Sequence, residues 1–233
     1  MNFHEGEFIY INKPYRMSSF GALAYVRTRL SKTLHVKRLK TGHAGTLDPL
    51  ATGVLILCTG KATKRIESLQ YASKEYTATL QLGATTPSYD REHTVDMTYP
   101  TKHITRELIE QTLPKFLGEI QQIPPEYSAC NIGGDRAYKL ARRGEKVELK
   151  PKTLRIDEIE LTDFDSATMQ MSIRVVCGKG TYIRALARDI GQALNSGAFL
   201  TALCRTRLGD VRIEDCLTLE EFPEWLSKQE IES

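Results

Sequence analysis

The sequence predicts an α/β protein of the α+β kind, with a mixed, mainly antiparallel sheet flanked by helices. Helical and strand patterns both occur, and they alternate without the regular strand–helix–strand rhythm of a doubly wound fold. Hydrophobic residues make up 41% of the 233 residues, which is enough to bury a substantial core. A chain of this length suits one large or two small domains, and we expect a single domain over residues 1–233.

The first third of the chain alternates between periodic and irregular segments. The patterns predict, in order, a strand at 7–12, a helix from a Ser18 or Ser19 cap to about Leu30, a loop at 31–53, a buried strand at 54–59, a helix at 60–70 and a strand at 74–83. Glycines and Pro49 punctuate the loop, as expected for an irregular segment between two elements.

The rest of the chain contains a long excursion between periodic segments. The patterns predict a helix around 105–117, strands at 154–163 and 168–177, a helix that begins at a Thr181 cap and a short helix at 217–229. Residues 124–151 open on two prolines and are rich in glycine and charge. Long insertions of this kind often serve as binding loops.

Several classes of protein are not supported by the composition. No apolar run approaches the roughly 20 residues that span a membrane, and Met1–Gly6 lacks the apolar segment of a secretory signal. The default expectation is a cytoplasmic protein. Its five cysteines have neither C-x-x-C spacing nor a histidine at zinc-ligand spacing, so we expect reduced thiols and no metal site.

Positive charge is concentrated at the start of the chain. Residues 1–66 carry eleven Lys and Arg against three acids, whereas the last twenty residues carry seven acids against Lys228 alone. Segregated positive charge is typical of a surface that binds a polyanion. The acidic tail should face away from a nucleic acid.

Asp48 is the only acid between Phe8 and Ile66. A surface that only binds RNA would gain affinity by losing this charge, because phosphates repel it. Positive surroundings favour the ionised carboxylate. Asp48 therefore either performs chemistry or has a structural role, since an aspartate before Pro49 is also a common way to start a turn.

Residues 42–55 read GHAGTLDPLATGVL. This segment resembles the pattern G-H-[TA]-G-[TS]-L-D-P-x-A-x-G-[VM]-L of the bacterial tRNA pseudouridine synthase B family, which modifies uridine-55 in the TΨC loop. Further segments resemble the family in the same order, and the resemblance covers roughly residues 7–220. These segments are the INKP opening with Ser18 and Ser19, KEY at 74–76, GEIQQIPPEYSA at 118–129, the Ala137–Gly144 region and GKGTYIR at 178–184.

The resemblance implies the pseudouridine synthase fold, with residues 124–151 gripping RNA, and assigns the catalytic role to Asp48. Breaking the N1–C1′ bond and joining C5 to C1′ involves no redox step, so no cofactor is implied. Arg184 is the implied counter-charge; Arg188, one turn later, is its rival, and a solvated or phosphate-binding arginine is the plain alternative. Tyr76 is implied to stack on the flipped base, although its strand pattern also fits a core tyrosine.

Other residues are implied to bind the substrate. His43 can stack on a base or fill the gap that the flipped base leaves, or it can be part of the loop structure. Tyr182 and Leu203 match positions that contact the base, and Leu203 alone would be interpreted as core. The candidates for phosphate contacts are Lys13, Lys61, Lys64, Arg142 and Arg143, although each could equally be a solvated charge.

The sequence departs from the family pattern in two ways. Asn131 and Asp135 stand where the family usually has lysines, which weakens the expected phosphate contacts of the insertion. The sequence also lacks the further 60–80 residues of a C-terminal PUA-type module that many members carry, so we expect a catalytic domain alone, acting as a monomer on the TΨC arm. The alternatives are a tRNA-binding or folding factor without important catalysis and a synthase that acts on another RNA.

Overall fold

The computed structural model describes residues 1–128, 131–132, 135–136, 140, 143 and 149–232, and for the four residues 131, 132, 135 and 136 it describes the backbone alone. These residues fall into two compact units. The first unit comprises Met1–Tyr76 and Leu203–Ser233, and the second comprises Thr77–Ala202. Within the described part of the chain, none of the helices is long and apolar enough to cross a membrane.

The first unit is built around a central strand with partners on both edges. Its elements are β1 (Phe8–Lys13), α1 (Ser19–Thr33), β2 (Thr41–Ala44), β3 (Thr52–Thr59), a 3₁₀ turn (Gly60–Arg65), α2 (Ile66–Tyr71), the start of β4 (Lys74–Leu82), the end of β12 (Ala198–Leu208), β13 (Val211–Arg212), a second 3₁₀ turn (Ile213–Asp215) and α5 (Phe222–Ser227). β1 and β2 pair antiparallel with β3, and β12 pairs with it in parallel.

The main core of the first unit lies between its sheet and its helices. α1 contributes Val26 and Leu30, β1 contributes Ile11, and α5 contributes Phe222, all of them almost completely buried. Ser18 caps α1, because its hydroxyl accepts a hydrogen bond from the Gly21 amide at 2.9 Å. The predicted cap is thus confirmed, and the helix extends three residues beyond the predicted end.

The second unit contains most of the antiparallel strands. Its elements are the rest of β4, β5 (Ala84–Thr85), β6 (Met97–Thr98), α3 (Arg106–Thr112), a 3₁₀ turn (Leu113–Phe116), β7 (Gly118–Gln122), β8 (Asn131–Ile132), β9 (Asp135–Arg136), β10 (Lys152–Asp165), β11 (Gln170–Cys177), α4 (Ile183–Ala193) and the start of β12. β4, β11, β10 and β7 follow one another across the sheet. The predicted mixed, mainly antiparallel α/β class is confirmed.

Several elements differ from the prediction in their position, their type or their cap. β2 lies inside the predicted loop, because residues 41–44 hydrogen-bond to the edge of β3. The predicted helix at 60–70 begins as a 3₁₀ turn, and the one at 217–229 is shorter. Thr181 does not cap α4: its hydroxyl donates to the Gly178 carbonyl, and Tyr182 is the N-cap residue. β7 and β12 were not predicted.

Candidate active site

Asp48 lies in the connection between β2 and β3, which form an antiparallel pair. The last paired residues are Ala44 and Ile56, and β3 starts earlier, at Thr52, where it lies beside Cys204 of β12. Residues 45–51 therefore form a wide loop between the two strands, which is named the catalytic loop after the predicted role of Asp48. Asp48 is half-buried there, and its carbonyl accepts a turn hydrogen bond from the Ala51 amide at 3.0 Å.

The residue before Asp48 fixes the catalytic loop against α1. The Ser19 hydroxyl donates to the Leu47 carbonyl at 3.0 Å and accepts from the Leu47 amide at 2.8 Å. The Leu47 side chain is also buried. Both backbone groups of Leu47 are therefore bound to the start of α1. This fixes the position of the next residue, Asp48.

Arg205 connects the two backbone segments at the ends of the catalytic loop, called its arms, through hydrogen bonds to Gly45 and Val54. Its Nε donates to the Val54 carbonyl at 2.9 Å, and its Nη2 donates to the Gly45 carbonyl at 2.8 Å. The side chain is 1% exposed. Two glycines allow this approach, since a Cβ on Gly45 would lie 3.2 Å from Arg205 Nη1 and one on Gly53 would lie 2.2 Å from the Arg205 carbonyl oxygen. Both glycines have positive φ, where side chains are disfavoured.

Lys13 lies beneath the same loop and is fully buried. Its ammonium donates to the carbonyls of Met17 at 2.5 Å, Pro14 at 3.0 Å and Pro49 at 3.4 Å. Burial lowers the pKa of Lys13 most, the Asp48 charge raises it and the Arg205 charge lowers it, which leaves a pKa of about 8 instead of 10.5. Lys13 therefore holds the catalytic loop from below, whereas a phosphate contact requires an exposed ammonium.

His43, on β2, is half-buried and close to Arg205. Burial, and then the Arg205 charge, lowers the pKa of His43 below its usual 6.5, so that the ring is neutral at pH 7. Its Nδ1 is buried without a hydrogen-bond partner among the described residues. Buried polar atoms usually have partners, and a neutral ring with an unused polar atom suits a role in contacting a nucleobase.

Tyr76 and Leu203 are also in the first unit. Tyr76, on β4, is 7% exposed, so it fits both a core tyrosine and one that lines a base pocket. Leu203, on β12, is half-buried, and its carbonyl accepts a hydrogen bond from the Thr52 hydroxyl at 3.4 Å. Leu203 is thus attached to the residue that begins β3, directly after the catalytic loop.

Arg184, in the first turn of α4, is buried in the second unit. Its Nη1 donates to the Ser88 carbonyl at 3.2 Å and its Nη2 to the Tyr127 carbonyl at 2.8 Å. Its Nε lies 3.7 Å from a carboxylate oxygen of Asp90, which is itself buried. Because Asp48 belongs to the other unit, the predicted pairing of Arg184 with Asp48 stays a prediction.

Neighbouring polar groups hold Arg188, the alternative counter-charge, and Tyr182, the predicted base contact. Arg188 donates to Asp189 at 2.8 Å and to the Ile123 carbonyl at 2.9 Å. The Tyr182 amide donates to the side-chain oxygen of Gln122 at 2.9 Å, and the amide nitrogen of Gln122 donates back to the Tyr182 carbonyl at 3.2 Å. Gln122 is fully buried, so it fixes the backbone of Tyr182 at the start of α4.

Comparison with known proteins identifies the family. A family model described as TruB family pseudouridylate synthase (N terminal domain) matches residues 31–183. The chain belongs to this family. A second model, tRNA pseudouridylate synthase B C-terminal domain, matches residues 184–233. The predicted absence of a PUA-type module stays a prediction.

Relatives of similar length support the assignment to the TruB family. A protein of Phocaeicola vulgatus named tRNA pseudouridine synthase B is 65% identical, and the match covers 100% of this chain and 98% of the relative. One from Bacteroides thetaiotaomicron with the same name is 64% identical, with the same shares covered.

Solved structures show the same fold. A Cbf5–Nop10–Gar1 complex contains a chain that matches with a TM-score of 0.70 and 28% identity, over 96% of this chain and 55% of that one. An H/ACA RNP bound to a substrate RNA containing 2′-deoxyuridine matches with a TM-score of 0.67 and 27% identity, over 96% and 54%. This TruB-family chain therefore spans about half the length of those two chains.

The remaining candidate phosphate contacts of this TruB-family protein differ in exposure. Lys64 is exposed in the 3₁₀ turn after β3. Lys61, in the same turn, is exposed but pairs with Glu5 at 2.6 Å. Arg143 is exposed, whereas Arg142, half of the insertion at 124–151 and the side chains of Asn131 and Asp135 lie outside the described residues.

Sequence reasoning missed three buried residues of this TruB-family protein that hold candidate residues or their segments in place, Arg205 in the first unit and Asp90 and Gln122 in the second. Arg205 holds the catalytic loop, Asp90 accepts from the Ser88 hydroxyl at 2.5 Å and lies beside Arg184, and Gln122 holds Tyr182. A buried charge has no signal of its own in a sequence, and the partners of Arg205 and Gln122 are backbone groups. The one usable signal for Arg205 was the pair of glycines that flank the loop.

The stability of this TruB-family protein should depend on the titration of Lys13. Its folded-state pKa of about 8 lies below 10.5, so between these values the unfolded chain holds a proton that the folded chain has released. The unfolding free energy, relative to that of Lys13→Met, should therefore be flat below pH 8 and rise with pH up to about 10.5. Urea unfolding of both proteins at several pH values measures this difference.

The exposed Lys115 provides a matched control for the Lys13 experiment. Lys115→Met should leave the pH dependence of unfolding the same as that of the parent protein. A difference between parent and Lys13→Met that stays constant from pH 7 to about 10.5 would contradict the buried, deprotonation-prone ammonium.

Proposed function

We propose that this protein isomerises uridine-55 to pseudouridine in the TΨC loop of tRNA. Membership of the TruB family supports the isomerase class, and the name shared by full-length relatives supports tRNA as the substrate. The resemblance of residues 42–55 to the family pattern supports position 55. The observation that carries the proposal is Asp48, a lone acid on a loop that Ser19, Lys13 and Arg205 hold in place.

The reaction exchanges one bond for another without oxidation or reduction. The N1–C1′ bond breaks, the uracil turns, C5 bonds to C1′, the C5 proton leaves and N1 gains a proton. Attack of Asp48 on C1′, attack on C6 and removal of a sugar proton by Asp48 all start from the ionised carboxylate and all regenerate it. Lys13 and Arg205 donate hydrogen bonds to backbone carbonyls of the loop that carries this carboxylate.

The other residues have roles in exposing and holding the uridine. A stacked uridine must be turned out of the RNA before a side chain can reach its sugar. His43, neutral and half-buried on β2, fills the gap left by the base or stacks on its neighbour. Tyr76 stacks on the uracil, Tyr182 and Leu203 border it, and Arg184 is the counter-charge for Asp48.

The function is tested with a tRNA transcript that carries tritium at C5 of its uridines. Isomerisation at one site should release one equivalent of tritium per tRNA. A transcript with cytidine at position 55 is the matched control and should release none. Release that persists from the control transcript would contradict position 55 and favour a synthase with another target.

We also propose that the protein works as a cytoplasmic monomer, because its substrate is tRNA and each catalytic candidate comes from this one chain. Light scattering during gel filtration, with and without tRNA, measures the subunit number. A dimer in the active complex would contradict this part of the proposal.

Arg184→Lys should lower kcat by about a hundredfold and change the Kd for tRNA much less. A lysine can occupy the space but cannot donate to Ser88, Tyr127 and Asp90 at once, because it lacks the planar fork of arginine. A counter-charge displaced by about 1 Å costs on the order of a hundredfold in rate. Single-turnover tritium release at saturating enzyme measures the effect.

Arg188→Lys, one turn later on α4, is the matched control. Arg188 binds Asp189 and a backbone carbonyl, so this variant should retain kcat within a few fold. If Arg188→Lys lost more activity than Arg184→Lys, the assignment of the counter-charge would have to move to Arg188.

A further inference from the structure

A basic groove lies at the C-terminal end of α1, in the first unit. It has a volume of about 580 Å³. The residues that line it come from the second half of α1 and from the segment that leads to β2: Arg27, Thr28, Ser31, Lys32, Val36, Lys37, Arg38, Leu39 and Lys40. Five of these nine described residues are cations and none is an acid. A groove of this composition selects an extended anion.

Both walls of the groove are anchored in the core. On the α1 side, Val26 and Leu30 are buried next to the lining residues, and on the other side Leu39 is buried in the same cluster. The end of the helix is closed by hydrogen bonds from the Leu34 amide to the Leu30 carbonyl and from the Val36 amide to the Ser31 carbonyl. The backbone positions of the cations are therefore fixed, while Lys32, Lys37, Arg38 and Lys40 stay exposed.

An aromatic side chain extends the groove toward the start of α1. The guanidinium of Arg27 lies 5.6 Å from the ring centroid of Phe20, one of the most exposed large hydrophobic residues of the described chain, at 61% exposure. Exposed aromatic rings beside cations are common on surfaces that bind nucleic acids, because a base can stack on the ring. Such a pair has no comparable use for a small inorganic anion.

The groove is separate from the site around Asp48. The first residue of α1, Ser19, holds the catalytic loop, whereas the groove surrounds the last turns of the helix. Arg27 and Lys32, the two α1 cations of the groove, follow Ser19 by roughly 12 Å and 20 Å along the helix axis, at 1.5 Å per residue. A flipped nucleotide in the active site cannot span these distances, but the backbone of a folded RNA can.

We infer that this groove binds the phosphodiester backbone of the RNA substrate, beside the half of α1 that lies away from the catalytic loop. The inference rests on the proposed function, since it takes the same RNA as its ligand. It gives the enzyme a second anchor within the first unit that does not depend on the insertion at 124–151. RNA contacts made by several cations weaken steeply as salt rises.

The test compares two double variants that each lose two positive charges. Lys37→Ala with Arg38→Ala should raise the Kd for tRNA by about tenfold and lower the slope of log Kd against log salt by about 1–2. Its kcat at saturating tRNA should equal that of the parent. Lys115→Ala with Lys228→Ala, both exposed and outside the groove, is the control and should change neither quantity.

A second measurement needs no substitution. Acetylation of lysines with and without bound tRNA, followed by mass spectrometry, should show slower reaction at Lys32, Lys37 and Lys40 in the complex and an unchanged rate at Lys115 and Lys228. Because it uses the parent protein, this measurement tests RNA binding by the groove even if the groove variant fails to fold. Equal acetylation rates in free and bound enzyme would overturn the inference.

Two further outcomes separate this inference from its alternatives. If the groove variant lost affinity for polyglutamate but bound tRNA like the parent, the groove would be a site for an acidic protein and the inference would be wrong. If the parent released no tritium from tRNA but bound it through the groove, the proposed function would fail and the RNA contact would stand. If the parent isomerised tRNA and the groove variant matched it in Kd and salt slope, the groove inference alone would fail.

Discussion

Asp48→Asn should lower kcat for tritium release by at least about a thousandfold, the range expected when a group that moves protons or bonds is removed. Asparagine has the shape of aspartate but lacks its charge. Leu47 is held by Ser19, and the loop arms are held by Arg205 through backbone groups. The substitution should therefore leave the fold of the catalytic loop intact.

Affinity for tRNA should be unchanged or higher in Asp48→Asn, because the only acid of a basic stretch has been removed. Single-turnover tritium release gives kcat, and fluorescence anisotropy gives the Kd for the same tRNA. Asp210→Asn, on the exposed turn between β12 and β13, is the matched control and should behave like the parent. Isomerisation that survives in Asp48→Asn would refute the mechanism, and a parent that binds tRNA without isomerising it would favour the binding-factor alternative.

Elements with a clear signal in their own residues were predicted correctly. Ser18 caps α1 through a hydrogen bond to Gly21, three residues away, and β3 appears in the sequence as a short apolar run because it is buried along almost its whole length. In both cases the signal lies in the element's own residues, although β3 is also paired with the distant strands β1 and β12.

Elements whose own residues carry no clear signal were missed. β2 contains Gly42, which is usually a strand breaker, but here the glycine leaves room for the Ile66 side chain, whose Cδ1 would lie 2.5 Å from a Cβ at this position. β12 lacks an alternating burial pattern, so the period-two signal of a strand is absent. Thr181 has the right chemistry for a cap, yet the Tyr182 amide is bound by Gln122, sixty residues earlier.

The candidate functional residues also differ in whether their own sequence context could point to them. Asp48 could be proposed from the sequence because it is an isolated acid inside a recognisable pattern, both of which are properties of the sequence alone; its catalytic role stays a prediction. Arg205 and Asp90 were missed because burial distinguishes them from other charged residues, and burial is a property of the fold. Lys13 was found, but as a phosphate contact, since its three carbonyl partners are not visible in the sequence.

Arg205→Met should both destabilise the protein and slow its reaction. The substitution removes the donors that Arg205 provides to the carbonyls of Gly45 and Val54, at a cost of about 3 kcal/mol in unfolding free energy, since each buried group that loses its partner costs about 1–3 kcal/mol. The corresponding fall in Tm is about 6–12 °C for a chain of this size. Without the brace the arms of the catalytic loop can separate, and a shift of Asp48 by about 1 Å would lower kcat about a hundredfold.

Arg207→Met, two residues later on the same strand, is the matched control. Its guanidinium is half-buried and binds only the nearby Gly209 carbonyl among the described partners, so Tm and kcat should stay close to the parent values. Arg205→Lys should recover part of the Tm, because one ammonium can reach one of the two carbonyls. Assays at a temperature where all variants are folded separate the two effects. A parental kcat in folded Arg205→Met would show that the brace contributes to stability alone, whereas a reduced kcat with an unchanged Kd for tRNA identifies Arg205 as the residue that positions Asp48.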